Sequence, residues 1–271
     1  MNSGAVQQGS ELPPINSVKL GSGGPTVVML HGWGRSLGAL RPLGELLASS
    51  CRVVLLDLPG FGASPLPFGA SNEGGGWTTE QYADRVKEWL DQAGISRCIL
   101  VGHSFGGRIS VRLASRFPKL ATGVVLIGSH GLRRERTFKD SIRIRFIRTV
   151  TALAKKIDGV AGTRIFAHYF APRFGSRDYK AAGDLRKTLV KTVNEDISLQ
   201  AQMIDVPTLL LWGEDDTETP IDLARNFNRL IKDSQLSIFP NKGHEPFADV
   251  GAHPIARYIE RFISERGLRA E

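Results

Sequence analysis

The sequence predicts an α/β architecture: a mostly parallel, doubly wound sheet with a helical cap inserted before the strand that bears an acidic loop. Three observations carry this prediction. Unbroken apolar runs at 26–30, 53–57, 97–101 and 123–128 alternate with segments of helical periodicity, the order of a parallel sheet covered on both faces. The next comparable run does not arrive until 207–212, and the roughly seventy-five residues before it read as helical, far more than an ordinary connection. A serine-centred turn, Gly102-His103-Ser104-Phe105-Gly106-Gly107, joins one of the apolar runs to a helix.

Taken in order, residues 1–14 are polar, end in Pro13-Pro14 and read as a flexible arm. A short strand is expected over 15–20, and Gly21-Ser22-Gly23-Gly24-Pro25 is a turn that lacks the lysine and hydroxyl residue of a phosphate loop. The strand at 26–30 ends in His31-Gly32-Trp33-Gly34, a glycine-rich loop able to turn the Trp33 N–H toward a pocket at the strand end. A helix over 37–48 leads to the strand at 53–57 and the turn Leu58-Pro59-Gly60-Phe61-Gly62-Ala63-Ser64, where Asp57 reads as a turn cap. Residues 65–76, rich in Pro, Gly and Ser, are expected to form a mobile surface loop. Thr78-Thr79-Glu80-Gln81 then starts a helix whose Tyr82, Val86, Trp89 and Leu90 share one core-facing stripe.

The G-x-S-x-G spacing around Ser104 suits a nucleophile elbow. Its serine is held in a strained conformation, and side chains two residues away would strike the neighbouring strand or helix. The helix N-terminus that follows favours developing negative charge. By itself the pentapeptide also fits an ordinary strand-to-helix turn.

Composition bounds the rest. The 271 residues are 41% hydrophobic, enough for one large domain with an insertion, and no run approaches a membrane span. The N-terminus lacks the basic start and apolar segment of a signal peptide, so a cytoplasmic protein is expected. Cys51 and Cys98 read as buried thiols without metal-site neighbours, and neither a cofactor nor a metal is expected. The division expected is 15–129 and 206–271 as the core, with 130–205 as the cap.

The formal charge of +8 is concentrated in that cap. Between 131 and 170, ten Lys plus Arg stand against three Asp plus Glu, a net of +7 around the stripe Ile142, Phe146, Val150, Leu153 and Ile157. A solvated face, an attractive surface for an acidic substrate or carrier, and membrane-surface association all fit the pattern. Membrane association ranks below the first two. Nucleic acid is not expected, since no binding motif accompanies the charge.

Beyond the cap, Trp212-Gly213-Glu214-Asp215-Asp216-Thr217-Glu218-Thr219-Pro220 offers carboxylates at a strand end, and Asn241-Lys242-Gly243-His244-Glu245-Pro246-Phe247 follows the next strand, at 235–239. Ser, Asp and His in this chain order suit a nucleophile, an orienting acid and a base on successive strand ends. A serine hydroxyl needs a base, and an imidazole serves as one when a carboxylate fixes its tautomer. Of the six histidines, His244 alone follows a strand downstream of an acidic loop. Spacing does not separate Glu214, Asp215 and Asp216 as the acid.

Together these motifs, over residues 26–265, resemble the α/β-hydrolases of the single-domain, helical-cap kind, and in particular their serine carboxylesterase-like members. The resemblance selects Asp216 as the acid, since in that family it is the third residue after the motif glycine and four before a proline. It implies an oxyanion hole from the backbone N–H groups of Trp33 and Phe105. That family usually carries an N-terminal hairpin, whereas this chain has room for one short strand before residue 26. Members that open epoxides or remove halides carry aspartate at the elbow, so Ser104 argues against both.

What the resemblance implies is hydrolysis of a small-molecule carboxylic ester through an acyl-enzyme, with Ser104, His244 and Asp216 as the triad. Thioesterase, carrier-bound methyl-ester esterase, lactonase and carbon–carbon bond hydrolase are the alternatives, and a non-catalytic ligand-binding member of the fold is a further one.

Overall fold

The computed structural model describes residues 13–132 and 177–268. Seven strands form one sheet in the spatial order β1-β3-β2-β4-β5-β6-β7. They are β1 (Ser17–Leu20), β2 (Thr26–Leu30), β3 (Arg52–Leu56), β4 (Cys98–His103), β5 (Ala121–Ile127), β6 (Thr208–Gly213) and β7 (Ser234–Phe239). All neighbours are parallel except β1, which pairs antiparallel with β3 at the edge, Ser17 opposite Leu56. Among the described residues β1 is the sole strand before β2, as the sequence indicates.

The unbroken apolar runs are explained by two cores, one on each face. Along β2, Val28 and Leu30 enter one core while Val27 and Met29 enter the other, and Leu100 and Leu126 alternate in the same way with Ile99 and Val125. Each fully buried aliphatic side chain of this kind contributes about 1.5–3 kcal/mol. One face is covered by α2 (Thr79–Gln92), α3 (Phe105–Arg116) and α7 (Ile221–Leu230). The other is covered by α1 (Arg41–Leu47) and α8 (Ala252–Glu265). Among the described residues no helix is long and apolar enough to cross a membrane.

The helix expected over 37–48 is interrupted: a 3-10 turn at Leu37–Ala39 precedes α1, which has Pro42 in its first turn. Proline has no N–H to give to a preceding turn, so it starts a helix rather than continuing one. The α2 start is the expected one, with Thr78 and Gln81 forming a reciprocal capping box.

Between β5 and β6 the elements among the described residues are α4 (Arg177–Ala181), a 3-10 turn at Gly183–Leu185, α5 (Arg186–Asn194) and α6 (Ser198–Gln202). The apolar stripe from Ile142 to Ile157 and its surrounding cations lie outside the described residues. The 65–76 segment, expected as a mobile loop, is instead fastened to these helices. Thr188 Oγ1 donates to the Ala70 carbonyl at 2.6 Å and accepts from the Trp77 N–H at 2.8 Å, while Lys191 Nζ reaches the Gly76 carbonyl at 2.8 Å. Sequence pattern misses this because the partners are more than 110 residues away.

The strand order sets the site. The chain leaves β2 toward β3 on one side and leaves β4 toward β5 on the other. The loops after β2 and β4 therefore diverge and open a crevice at the strand C-termini.

Candidate active site

Ser104 sits between β4 and α3 with φ 50 and ψ −108, a positive φ that a non-glycine residue adopts only under constraint. The constraint is crowding. A Cβ at Gly106 would lie 2.1 Å from the Leu30 carbonyl oxygen, and one at Gly102 would lie 2.5 Å from the Gly106 oxygen. The two glycines thus let the turn press against the end of β2 with Ser104 in the strained conformation that an elbow requires.

Asp216 and His244 are joined by a 2.8 Å hydrogen bond between Oδ2 and Nδ1. Of the three adjacent acids, Asp216 alone is buried, and Glu214 and Asp215 are exposed. Its carboxylate accepts from the N–H groups of Glu218 at 2.9 Å and Thr219 at 2.7 Å, and from the Thr219 hydroxyl at 2.6 Å. Burial opposes the charged form, but the His244 and Thr219 hydrogen bonds outweigh it and hold the carboxyl below its ordinary range. With an ionised acceptor on Nδ1, the neutral imidazole keeps its proton there and presents Nε2 as the acceptor. Burial likewise disfavours the imidazolium of His244, yet the hydrogen bond and charge of Asp216, with Glu218 and Glu245 adding to it, raise its pKa.

Ser104 and His244 line one cavity of about 710 Å³, together with Trp33, Phe61 and Leu185. The two are not hydrogen-bonded in this structure; the neighbour of His244 Nε2 is Glu218 Oε2, at 3.4 Å. The N–H groups of Trp33 and Phe105 make no backbone hydrogen bond among the described residues, so both remain available to a ligand. Their side chains pack edge to face with centroids 5.2 Å apart, and Phe61 closes the group against Trp33 at 5.0 Å. A strained serine and an oriented imidazole on one cavity, with the N–H of Trp33 on its wall and that of Phe105 next to Ser104 in the chain, are the parts that can form and stabilise a tetrahedral adduct on a carbonyl.

His31, His103 and Asp57 have structural work. His31 Nε2 accepts from the Leu58 N–H at 2.9 Å, so its proton is on Nδ1 and donates to the Gly32 carbonyl. Asp57, expected as a turn cap, accepts from Ala63 in its own turn and also from Leu37 in the loop after β2. His103 donates from Nε2 to the His244 carbonyl at 3.0 Å, and burial lowers its pKa to about 3, so it stays neutral. Cys51 and Cys98 are free, buried thiols, and burial pushes Cys98 up to about 12. Among the described residues no three His, Cys, Asp or Glu side chains converge as a metal-binding group.

Sequence reasoning missed three features. Gly128, after β5, has φ +49, and a Cβ there would lie 3.2 Å from both Asp216 Oδ2 and His244 Nδ1. Its signal was a glycine directly after an apolar run. Thr219 and the Arg35–Glu245 ion pair, 2.8 Å long at the cavity wall, had no signal that pattern could supply.

Known proteins resemble this chain along most of its length. A pimeloyl-[acyl-carrier protein] methyl ester esterase of Nitrosospira multiformis is 27% identical over 89% of this chain and 92% of its own length. A 2-hydroxy-6-oxo-2,4-heptadienoate hydrolase of Pseudomonas putida is 29% identical over 83% and 84%. The solved structure of a thermophilic esterase from Thermogutta terrifontis shares the fold at a TM-score of 0.65, with 20% identity over 93% of each chain. A family profile for the alpha/beta hydrolase fold matches residues 25–249. On that match, which spans β2 to β7, the elbow and the His244 loop, the chain belongs to the alpha/beta hydrolase fold family.

Proposed function

We propose that this hydrolase is a serine carboxylesterase with Ser104 as nucleophile, His244 as base, Asp216 as orienting acid, and the N–H groups of Trp33 and Phe105 as oxyanion donors. The reading rests on one observation above the others: the Asp216–His244 hydrogen bond presents imidazole Nε2 to the cavity that Ser104 lines at a helix N-terminus. His244 Nε2 takes the Ser104 proton as Oγ forms a bond to the ester carbonyl carbon, and the carbonyl electrons move onto oxygen between the two donors. When that adduct collapses, the carbon–alkoxy bond breaks and the proton on Nε2 goes to the departing alcohol. Water then repeats the sequence on the acyl-enzyme, releasing acid and restoring Ser104. The division of the chain into a core of 15–129 and 206–271 and a cap of 130–205 belongs to the same proposal.

The described wall supports an uncharged ester. Asp178, Asp184, Glu218 and Glu245 line the cavity against Arg35 alone among described cations, and Arg35 already pairs with Glu245. Such a wall repels an anionic acyl chain. A second reading, a methyl ester held on an acidic carrier that docks on the basic cap, is favoured by the 27% identity to the carrier-ester esterase.

Turnover of p-nitrophenyl esters from acetate to dodecanoate, with Ser104→Ala alongside, tests the proposal. Ser104-dependent hydrolysis peaking at short or medium chains is the expected result. Equal turnover by folded Ser104→Ala would remove Ser104 as nucleophile. Inert behaviour on every chain length would turn the search to carrier esters, thioesters and lactones. For the carrier reading, kcat/KM on acidic substrates falls more steeply with salt than on neutral ones.

A further inference from the structure

We infer that Glu218 is a positioning residue that latches the imidazole of His244 in its protonated form and keeps it from Ser104 until the imidazole loses its proton. The inference rests on the triad reading above and concerns how that triad is switched on.

Three observations lead to it. Glu218 Oε2 lies 3.4 Å from His244 Nε2, the nitrogen that must accept the serine proton. The Glu218 backbone is anchored, since its N–H donates to Asp216 Oδ1 at 2.9 Å, while its side chain is 64% exposed and free to swing. Ser104, on the wall of the same cavity, makes no hydrogen bond to that nitrogen.

The chemistry of one nitrogen does the rest. A protonated imidazole has two N–H donors; Asp216 takes the first at Nδ1, and the Glu218 carboxylate stands 3.4 Å from the second at Nε2 as an ion-pair partner, so both ends of the ring face carboxylates. A neutral imidazole keeps its proton on Nδ1 and turns a lone pair toward Glu218. Two electron-rich atoms then face each other, the contact is repulsive, and the exposed carboxylate leaves. The freed lone pair is the one Ser104 Oγ–H needs. Glu218 thus holds the imidazole only when it cannot serve as a base.

The other groups facing His244 do not do this. Asp216 engages Nδ1, Glu245 is engaged by Arg35, and His103 from the elbow is neutral with its ring centroid 4.8 Å away. Among the described residues, His244 is the only ion-pair partner of Glu218.

The test uses the full chain, Glu218→Gln beside wild type, and a fluorophosphonate probe that reacts covalently with an activated serine. Labelling rate is followed from about pH 5 to pH 9, and His244 is followed by the NMR titration of its ring nitrogens. Removing the carboxylate makes labelling about threefold faster below the acid midpoint, the size expected of one exposed, solvent-screened charge, with the two curves merging at alkaline pH. The His244 midpoint moves to lower pH with it, and added salt narrows the difference. Coincident labelling curves and an unmoved His244 titration would overturn the latch. Failure of the wild type to label at any pH would remove the serine nucleophile, and the titration alone would then show whether Glu218 still grips the ring.

Discussion

The indole of Trp33 stands edge-on to the ring of Phe105, centroids 5.2 Å apart and planes at 77°. These two residues carry the free N–H groups proposed to bind the oxyanion, so the ring contact braces against each other two donors that follow different strands, β2 and β4. Phe105 is itself held by Tyr82 at 5.1 Å, and Tyr82 by Trp77 at 5.3 Å, which extends the support into α2. Edge-to-face pairs of this kind contribute about 0.5–1.5 kcal/mol beyond burial.

Trp33→Ala leaves both N–H groups in the chain but removes this support. Since small misplacements of catalytic groups cost up to about a hundredfold, kcat is expected to fall about ten- to a hundredfold with a smaller change in KM. Trp33→Phe, which keeps an aromatic edge, retains most of the activity. Steady-state kinetics on one ester decide it, and equal losses for the two variants would count against a packing role.

Asp216→Asn is expected to reduce kcat by about 10⁴, because an amide can present the wrong partner to Nδ1 and fix the wrong tautomer. Asp215→Asn is expected to stay within about twofold of wild type, since Asp215 is exposed and is tied to the Lys242 carbonyl by its backbone N–H. Matched rates for the two variants would undo the assignment of the acid.

Gly128→Ala places a methyl group 3.2 Å from Asp216 Oδ2 at a backbone angle of +49°. The left-handed conformation costs about 1–2 kcal/mol, and the Asp216–His244 pair has to give way. A drop in urea midpoint together with at least a tenfold loss of kcat/KM is expected. A stability change with unaltered kinetics would limit Gly128 to a folding role.

The acid limb of kcat/KM is expected above pH 6.5, because the fold raises His244 from its ordinary value of 6.5 and the base works only when neutral. In stability the sign runs the other way. A raised imidazole pKa contributes stability present below pH 6.5 and lost as pH rises through the folded value. Asp216, held below 3.8, contributes above that pH, and its share is lost as pH falls through its folded value. A pH–rate profile and urea unfolding between about pH 2 and pH 9 measure these effects.

Glu195 fastens the helices after β5 to the core. Its carboxylate accepts from the Thr79 N–H at 2.9 Å and from the Thr79 hydroxyl, and it pairs with Arg112 at 3.4 Å. Glu195→Ala leaves the largely buried Arg112 with only Glu80 at 3.8 Å and the Thr79 hydroxyl at 3.2 Å, removes the acceptor of the Thr79 N–H, and is expected to cost about 1–2 kcal/mol in urea unfolding. A loss under about 0.5 kcal/mol would show that apolar contacts alone dock the segment.

The sequence by itself determined the alternation of strands and helices, the elbow around Ser104 and the order Ser, Asp, His, because each rests on local chemistry. Apolar runs need two covered faces, and a tight strand-to-helix turn needs glycines at 102 and 106. What only the tertiary structure decided lies between residues far apart in the chain. Whether Asp216 or a neighbour is buried against His244, what Gly128 leaves room for, how Trp33 meets Phe105 and why 65–76 is fastened are set by which loops the strand order brings together. Glu218 is the sharpest case: in the sequence it is one acid among four between residues 214 and 218, and only the fold puts its carboxylate beside the nitrogen proposed to take the Ser104 proton.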